Sequence, residues 1–517
     1  VTTLNGSQST VKALIASDIS ICFGNPGTSE MHFLAALDQI KGIRCVLGLH
    51  ESIVTGAADG YYRLSGKPAV TLLHLAPGLA NGLSNLHNAK KANSGILNIV
   101  GEHATYHLKY DAPLSGDIEG VARPMSHWVK TSTSADTVAN DAALAAGIAK
   151  EKSGQIATLI LPADVSWLKT EVVAPPVEPK PLRKVEASVI QAIAKVIHQD
   201  KNAVLLLGGA ALRGKALEFA GKIAEKTGCR ILSEGQNARI ERGHGRVSVD
   251  RLPFDVRAAQ AVLKGTEHLI LVGAKVPIAF FAYPNLSSLL TPESCATLTL
   301  ATHEDQVERA LEDLMLELGA HHTLQKTSVF AQGPMPFGRV NSDSLGQFLG
   351  ACLPENAIVV DEAVSTGRGF FKPTEHARAH DWLNSMGSSL GYALPVAIGC
   401  AIAKPDRPVI ALVGDGSAMF SVQALWTMAR ENLNIKVLIF ANHAYKILKN
   451  ELVSVGLESP TQTALSMLTL NSPTLDWVSM AKAHGVEGFK VDSIEALVKT
   501  FNHCLTQTGT QLIQIEM

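Results

Sequence analysis

The sequence predicts an α/β protein built from three doubly wound parallel-sheet domains, and three observations point there. At 517 residues the chain is too long for one hydrophobic core, so about three units of roughly 150–200 residues are expected. Short β-rich apolar runs alternate with helix-like amphipathic segments, the pattern of parallel sheets covered on both faces. Two proline-rich stretches, 174–182 and 323–336, interrupt the alternation and read as extended linkers. The predicted domains are therefore 1–173, 183–322 and 337–517.

In chain order, the first part offers strands at 19–23, 45–49, 69–75 and 96–100. The second offers 204–207 and 269–272, and the third 358–360, 409–413 and 436–441. No short repeat is present, and the sequence leaves open whether the first and third parts are structurally related.

Composition narrows the function. Hydrophobic residues make up 46% of the chain, charged residues 18%, and the formal net charge is -2, which suits a compact globular enzyme. No basic excess exists to neutralise a nucleic-acid backbone. The seven cysteines are scattered without a CxxC pair, so neither a disulfide framework nor a zinc site is indicated. No apolar run reaches the ~20 residues of a membrane span and no leader pattern opens the chain, so the expected location is the cytoplasm.

The most specific segment is the apolar run Val409-Ile410-Ala411-Leu412-Val413, broken by Gly414-Asp415-Gly416-Ser417, followed by a helix around 421–430 and a second apolar run ending at Asn442. If the two strands are parallel, Asp415 and Asn442 both lie beyond carboxyl ends, where open α/β sheets bind ligands. The glycines admit a phosphate close to the backbone, and magnesium takes oxygen ligands while bridging a carboxylate to phosphates. An isolated Gly-Asp-Gly is ordinarily just a turn. Here 25 residues from Ser417 to Ala441 inclusive separate it from an Asn at the next strand's end.

Glu51 ends the run 44–50 and opens a helix of small residues, continuing as Ala57-Ala58-Asp59-Gly60-Tyr61-Tyr62-Arg63. An acid at a helix start is commonly a dipole partner. Taken together, the two segments resemble the diphosphate and pyrimidine motifs of thiamine-diphosphate enzymes, in particular benzoylformate decarboxylases and acetolactate synthase large subunits. Where that family usually has Asn-Asn, this chain has Ala441-Asn442. Further similarity lies in Phe23-Gly24-Asn25-Pro26-Gly27-Thr28, in Leu73-His74-Leu75 before Gly78 and Asn81, and in Leu390-Gly391-Tyr392-Ala393-Leu394-Pro395.

The resemblance implies a three-domain thiamine-diphosphate fold and a cofactor held with Mg2+ by the side chains of Asp415 and Asn442 and the carbonyl of Ala444. It places Ser388, Leu390, Gly414, Gly416, Ser417 and Tyr445 around the cofactor and makes Glu51 the carboxyl that sets its pyrimidine tautomer. Leu390 either braces the cofactor or packs a core. Thr28 and His74 would face a 2-oxo acid substrate, and a decarboxylase or carboligase working through a cofactor ylide and enamine is implied. A catalytically silent cofactor-binding relative is the alternative.

Two departures leave the substrate open. Segment 275–284 carries Phe280 and Phe281 where a benzoylformate decarboxylase has a proton-shuttling His, and the segment 443–451 after Asn442, with Ile447 on it, places polar groups such as Glu451 near where that enzyme offers an apolar pocket. Glu451 either faces solvent or disfavours a second anion nearby. An acetolactate synthase-like flavin (FAD) is conceivable at Gly208-Gly209, but two glycines after a strand more often form a tight turn. The resemblance further implies a dimer with shared active sites, commonly assembled as a homotetramer.

Overall fold

The computed structural model describes residues 3–331, 333–457 and 460–517. Six strands form the first sheet: Ile21–Gly24 (β1), Arg44–Leu47 (β2), Ala69–Leu73 (β3), Ile96–Glu102 (β4), Trp128–Thr131 (β5) and Ile156–Pro162 (β6). Their spatial order is β2-β1-β3-β4-β6-β5, parallel throughout. The middle segment supplies Val204–Leu207 (β7), Arg230–Ser233 (β8), Ile240–Arg242 (β9), Asp250–Arg251 (β10), His268–Val272 (β11) and Ala296–Ala301 (β12), of which five pair in the parallel order β10-β8-β7-β11-β12. The third sheet holds Ala357–Glu362 (β13), His380–Asn384 (β14), Val409–Gly414 (β15), Ile435–Ala441 (β16), Glu487–Val491 (β17) and Gln511–Glu516 (β18). Its order is β9-β14-β13-β15-β16-β18-β17.

β9 departs from the three-sheet plan. It leaves the middle segment and joins the third sheet, pairing antiparallel with β14. With that strand set aside, the first and third sheets have one strand order, second-first-third-fourth-sixth-fifth. In each sheet the chain moves from its first strand to one side and then crosses to the other, which creates a crevice between the carboxyl ends of β1 and β3, of β7 and β11, and of β13 and β15. Residues 171–182 and 324–340 contain no helix or strand among the described positions.

The central strands form because their runs are apolar on both faces: Val409 to Val413 are all fully buried. Two helices lock the first sheet to the third. Helix α1 (Glu51–Ser65) starts from His50, whose Nδ1 accepts the Ser52 amide N–H at 3.2 Å, and it ends at Gly66 in the left-handed region (φ 71°). Helix α2 (Leu75–Lys91) follows β3. Helix α3 (Ala393–Ala403) crosses α1 on glycine. A Cβ on Gly60 would sit 2.1 Å from the Val396 carbonyl oxygen and one on Gly399 2.0 Å from that of Ala57. Only hydrogen at those positions permits the approach.

Candidate active site

Asp415 opens a single helical turn, α4 (Asp415–Ala418), and the next helix, α5, covers Ala424–Arg430. The helix expected at 421–430 is thus shorter, and helical geometry begins at the Asp itself. The Asp415 carboxyl is 1% exposed, and burial pushes its pKa up. Its two oxygens accept the amide N–H of Gly416 at 2.8 Å and of His443 at 2.7 Å. These bonds tie the β15 turn to the β16 turn, where Asn442 Oδ1 accepts the Ala444 N–H at 3.1 Å. The loop is fastened by Tyr445 N–H to the Leu468 carbonyl and Leu470 N–H to that of His443, the carbonyls on either side in register of the Ala444–Thr469 bridge.

The donor set fits a hard divalent cation: a buried carboxylate, an amide oxygen and a backbone carbonyl, all oxygen and with the carboxylate short of compensating charge. The glycines fit a phosphate. The nearest atom to a Cβ on Gly414 is 3.8 Å away, so that face is open, whereas Gly416 lies under the Tyr445 ring, 2.6 Å from the Cβ position. Ser417 is buried beside them. Ile447 and Glu451 lie on α6 (Lys446–Ser454).

Ser388 and Leu390 lie on the loop between β14 and α3. Ser388 is left-handed (φ 57°) and its hydroxyl accepts from Gln236 Nε2 at 2.9 Å. Leu390, half-buried, is clamped from both sides: Ser389 N–H bonds Asn88 Oδ1 at 3.0 Å, and Gly391, Tyr392 and Ala393 donate to Glu362 at 2.8, 3.1 and 2.8 Å. Glu362 itself is buried and pushed up to about 7 by desolvation, the three N–H bonds opposing. The sequence reading missed it, although an acid ending the apolar run 357–360 was the available signal.

The other half is built on the first sheet. Glu51 is 7% exposed; Asn81 Nδ2 donates to Oε2 at 3.0 Å and Asn25 Nδ2 to Oε1 at 3.3 Å. His74 ends the β3 turn with Nδ1 2.9 Å from Glu30 Oε2. Thr28, which is exposed, begins the 3-10 turn Thr28–Glu30, so it is the end of that turn, not Thr28, that touches the imidazole. The hydrogen-bond partners of Glu51 come from residues 25–81 and those of Asp415 from 415–443; among the described residues, one chain does not join the halves through a shared partner.

Leu75, Val364, Ser388 and His443 have φ of 50°, 46°, 57° and 54°. Leu75 and Val364 follow β3 and β13, which flank the crevices, and Ser388 and His443 follow β14 and β16, the next strands out; strained backbone of this kind concentrates at functional sites.

Phe280 and Phe281 are 43% and 56% exposed and meet edge to face with ring centroids 4.8 Å apart, and Phe254 lies 5.1 Å from Phe280. Glu451 is half-buried and accepts the Tyr283 hydroxyl at 3.2 Å, which ties α6 to the phenylalanine loop. A cavity of about 1190 Å³ lies at the β7–β11 crevice. Gly208 and Gly273 face each other there, each carbonyl oxygen 2.6–2.7 Å from the other's Cβ position, and Glu234 Oε2 lies 2.5 Å from that of Gly208. Packing accounts for the glycine turn, which therefore carries no argument for a flavin. Among the described residues no helix is long and apolar enough to cross a membrane.

Comparison with known proteins agrees with this arrangement. Residues 4–127 match the thiamine pyrophosphate enzyme N-terminal TPP binding domain and residues 367–515 the C-terminal TPP binding domain. The chain is 43% identical over 515 residues, 99% of each chain, to "Putative acetolactate synthase large subunit IlvX" of Mycobacterium tuberculosis. It is 27% identical to a benzoylformate decarboxylase of Pseudomonas aeruginosa, with 96% of each covered. A solved thiamine diphosphate-dependent 4-hydroxybenzoylformate decarboxylase from Rhodococcus jostii RHA1 superposes with a TM-score of 0.88 over 99% of both chains at 24% identity. With its sheets, its two matched domains and a relative similar along nearly its whole length, this chain belongs to the thiamine pyrophosphate enzyme family.

Proposed function

We propose that the protein is a thiamine-diphosphate- and magnesium-dependent decarboxylase or carboligase of 2-oxo acids. The observation that carries this reading is Glu51: a buried carboxyl at a strand's carboxyl end, held in place by two side-chain amides. When bound, thiamine diphosphate supplies the carbon nucleophile and the electron sink for cleavage next to a carbonyl. Glu51 would hydrogen-bond the pyrimidine ring and set its tautomer. Asp415, Asn442 and the Ala444 carbonyl hold the cation, the Gly414–Ser417 turn holds the diphosphate, and Leu390 and Tyr445 line the space between. His74 and Thr28 orient the oxo acid, and His74 moves protons.

Exposed apolar side chains flank both halves. Leu49, two residues before Glu51, is 44% exposed, and Met419 and Phe420, just after Ser417, are 38% and 53% exposed. A second copy covering them would bring one chain's Glu51 to the other's Asp415, so the active unit is a dimer, with a homotetramer as the expected assembly. Similarity to a chain named as an acetolactate synthase favours carboligation over simple decarboxylation.

The test incubates the protein with thiamine diphosphate, magnesium and a panel of 2-oxo acids that includes pyruvate and benzoylformate, with carbon dioxide and products read by mass spectrometry. Glu51→Gln is expected to keep cofactor affinity and lose at least ~100-fold in turnover. Full activity in that variant would remove Glu51 from the mechanism. Absence of turnover with every oxo acid would favour the silent relative, and a yellow protein would favour the flavin form.

A further inference from the structure

We propose that Glu30 is the positioning residue of this site, acting through His74. The inference rests on the reading of His74 as the proton-moving group. Glu30 is 3% exposed, and all its contacts converge on one task. Its Oε2 accepts the Gly27 amide N–H at 2.7 Å and faces His74 Nδ1 at 2.9 Å; its Oε1 accepts the Ser29 hydroxyl at 2.5 Å. The pocket that grips it is tight, since a Cβ on Gly101 would lie 1.6 Å from Oε1. A carboxylate held by two other donors cannot swing away from the imidazole.

The chemistry follows from the inventory of donors. An ionised carboxylate only accepts, so the nitrogen facing it carries the proton, and the neutral ring must keep Nε2 as the free acceptor. The carboxylate therefore fixes the tautomer, as carboxylates do for other catalytic and metal-bound histidines. Ring orientation is fixed independently. Gly27 leaves room for the imidazole, with a Cβ there only 2.1 Å from Nδ1, and the next residue along, Leu75, is fully buried with φ at 50°. A buried leucine in the left-handed region is costly backbone, and here it turns the chain so that His74 leaves β3 against the Glu30 turn. The His74 side chain remains 23% exposed, so the imidazole is not sealed off by the Glu30 turn.

The experiment is a double-mutant cycle on the holoenzyme. His74→Ala is expected to lower kcat by about 100-fold or more, and Glu30→Ala by about 10- to 100-fold with little change in KM or in cofactor affinity. Glu30→Ala added to His74→Ala is expected to cost nothing further, because a residue acting only through the imidazole has nothing left to act on. Glu30→Gln, which can keep the bond to Nδ1 and turn its amide towards Ser29, is expected to recover part of the loss. Independent losses that multiply in the double variant would overturn the proposal, as would wild-type kcat in His74→Ala.

A second readout does not need turnover. Long-range 1H–15N correlation of histidine-labelled protein, with His74 assigned by its loss in His74→Gln, should show the Nδ1–H tautomer in the wild type and a tautomer mixture in Glu30→Ala. An unchanged tautomer in Glu30→Ala would overturn the proposal. Failure of the underlying reading would show differently, as a wild-type protein that turns over no 2-oxo acid.

Discussion

Replacing Arg63 by Met should destabilise the protein by about 3–5 kcal/mol, because it strands a buried carboxylate. Arg63 lies on α1 with its side chain 2% exposed, and its partner Asp59 is 1% exposed. The pair is bidentate: Nε to Oδ1 at 2.8 Å and Nη2 to Oδ2 at 2.7 Å. Nη1 then donates to the carbonyls of Ala238 at 3.2 Å and Asn384 at 2.8 Å and to the Tyr392 hydroxyl at 2.9 Å, so one guanidinium fastens all three segments of the chain. Without it, among the described residues, the Asp59 carboxylate keeps only the Ser94 hydroxyl. Asp59→Asn added to Arg63→Met removes the uncompensated charge and should recover about 1–3 kcal/mol, while the unpaired carbonyls keep the double variant below wild type. Urea titration followed by circular dichroism measures the midpoints. Cofactor affinity should fall in parallel, since the Asn384 carbonyl starts the loop that carries Ser388 and Leu390. An Arg63→Met midpoint equivalent to less than about 1 kcal/mol of loss, or a double variant worse than the sum of the singles, would refute the reasoning.

Three further predictions follow from single sites. Gly399→Ala places a Cβ 2.0 Å from the Ala57 carbonyl oxygen, and opening the α1–α3 crossing should cost at least about 1–3 kcal/mol; an unchanged thermal midpoint would count against the crossing as the lock between sheets. His380 is buried and pushed down to about 3 by desolvation, with Nδ1 donating to the Arg378 carbonyl at 2.7 Å and Nε2 buried without a partner. A depressed folded pKa gives stability that is complete well above the unfolded value near 6.5 and is lost as pH falls towards 3, so roughly 2 kcal/mol should disappear between pH 6.5 and 4.5; His380→Asn should flatten that slope, and equal slopes would dismiss the assignment. Asp415→Asn removes the anionic oxygen and can keep only one of the two backbone N–H bonds, so the upward melting shift that thiamine diphosphate with magnesium gives the wild type should vanish in the variant. A shift that survives either this change or chelation of magnesium would remove Asp415 as the cation's anchor.

The strands were legible because parallel sheets bury both faces and so write themselves as apolar runs; 204–207 was read to the residue and 409–413 to within one. The places of Asp415, Asn442 and Glu51 just beyond strand ends were legible because each closes an apolar run. Strand order was not, since nothing in residues 240–242 signals that β9 crosses to pair with β14 more than a hundred residues away. Glu30 and Glu362 were missed for a related reason. Each acts on a loop that is distant in sequence, Glu30 on His74 and Glu362 on the amides of 391–393, and local pattern does not encode such partners. Glu451 was left between solvent and site, and its partner Tyr283 lies in another segment.

The shared strand order explains why the two half-sites resemble each other in layout and differ in chemistry. The crevice between β1 and β3 and that between β13 and β15 are equivalent positions in equivalent sheets, so the Glu30 turn answers to Glu362 and His74 to Asp415. In both, a buried carboxyl at or after the end of the first strand accepts neighbouring N–H groups and stiffens a loop, and the third strand's turn carries the group proposed to meet the ligand. A crevice lined by an imidazole and a carboxyl is suited to protons, and one lined by oxygen donors and glycines to a cation and phosphates. Neither crevice provides both, so a cofactor with a proton-exchanging ring at one end and a diphosphate at the other needs the two together.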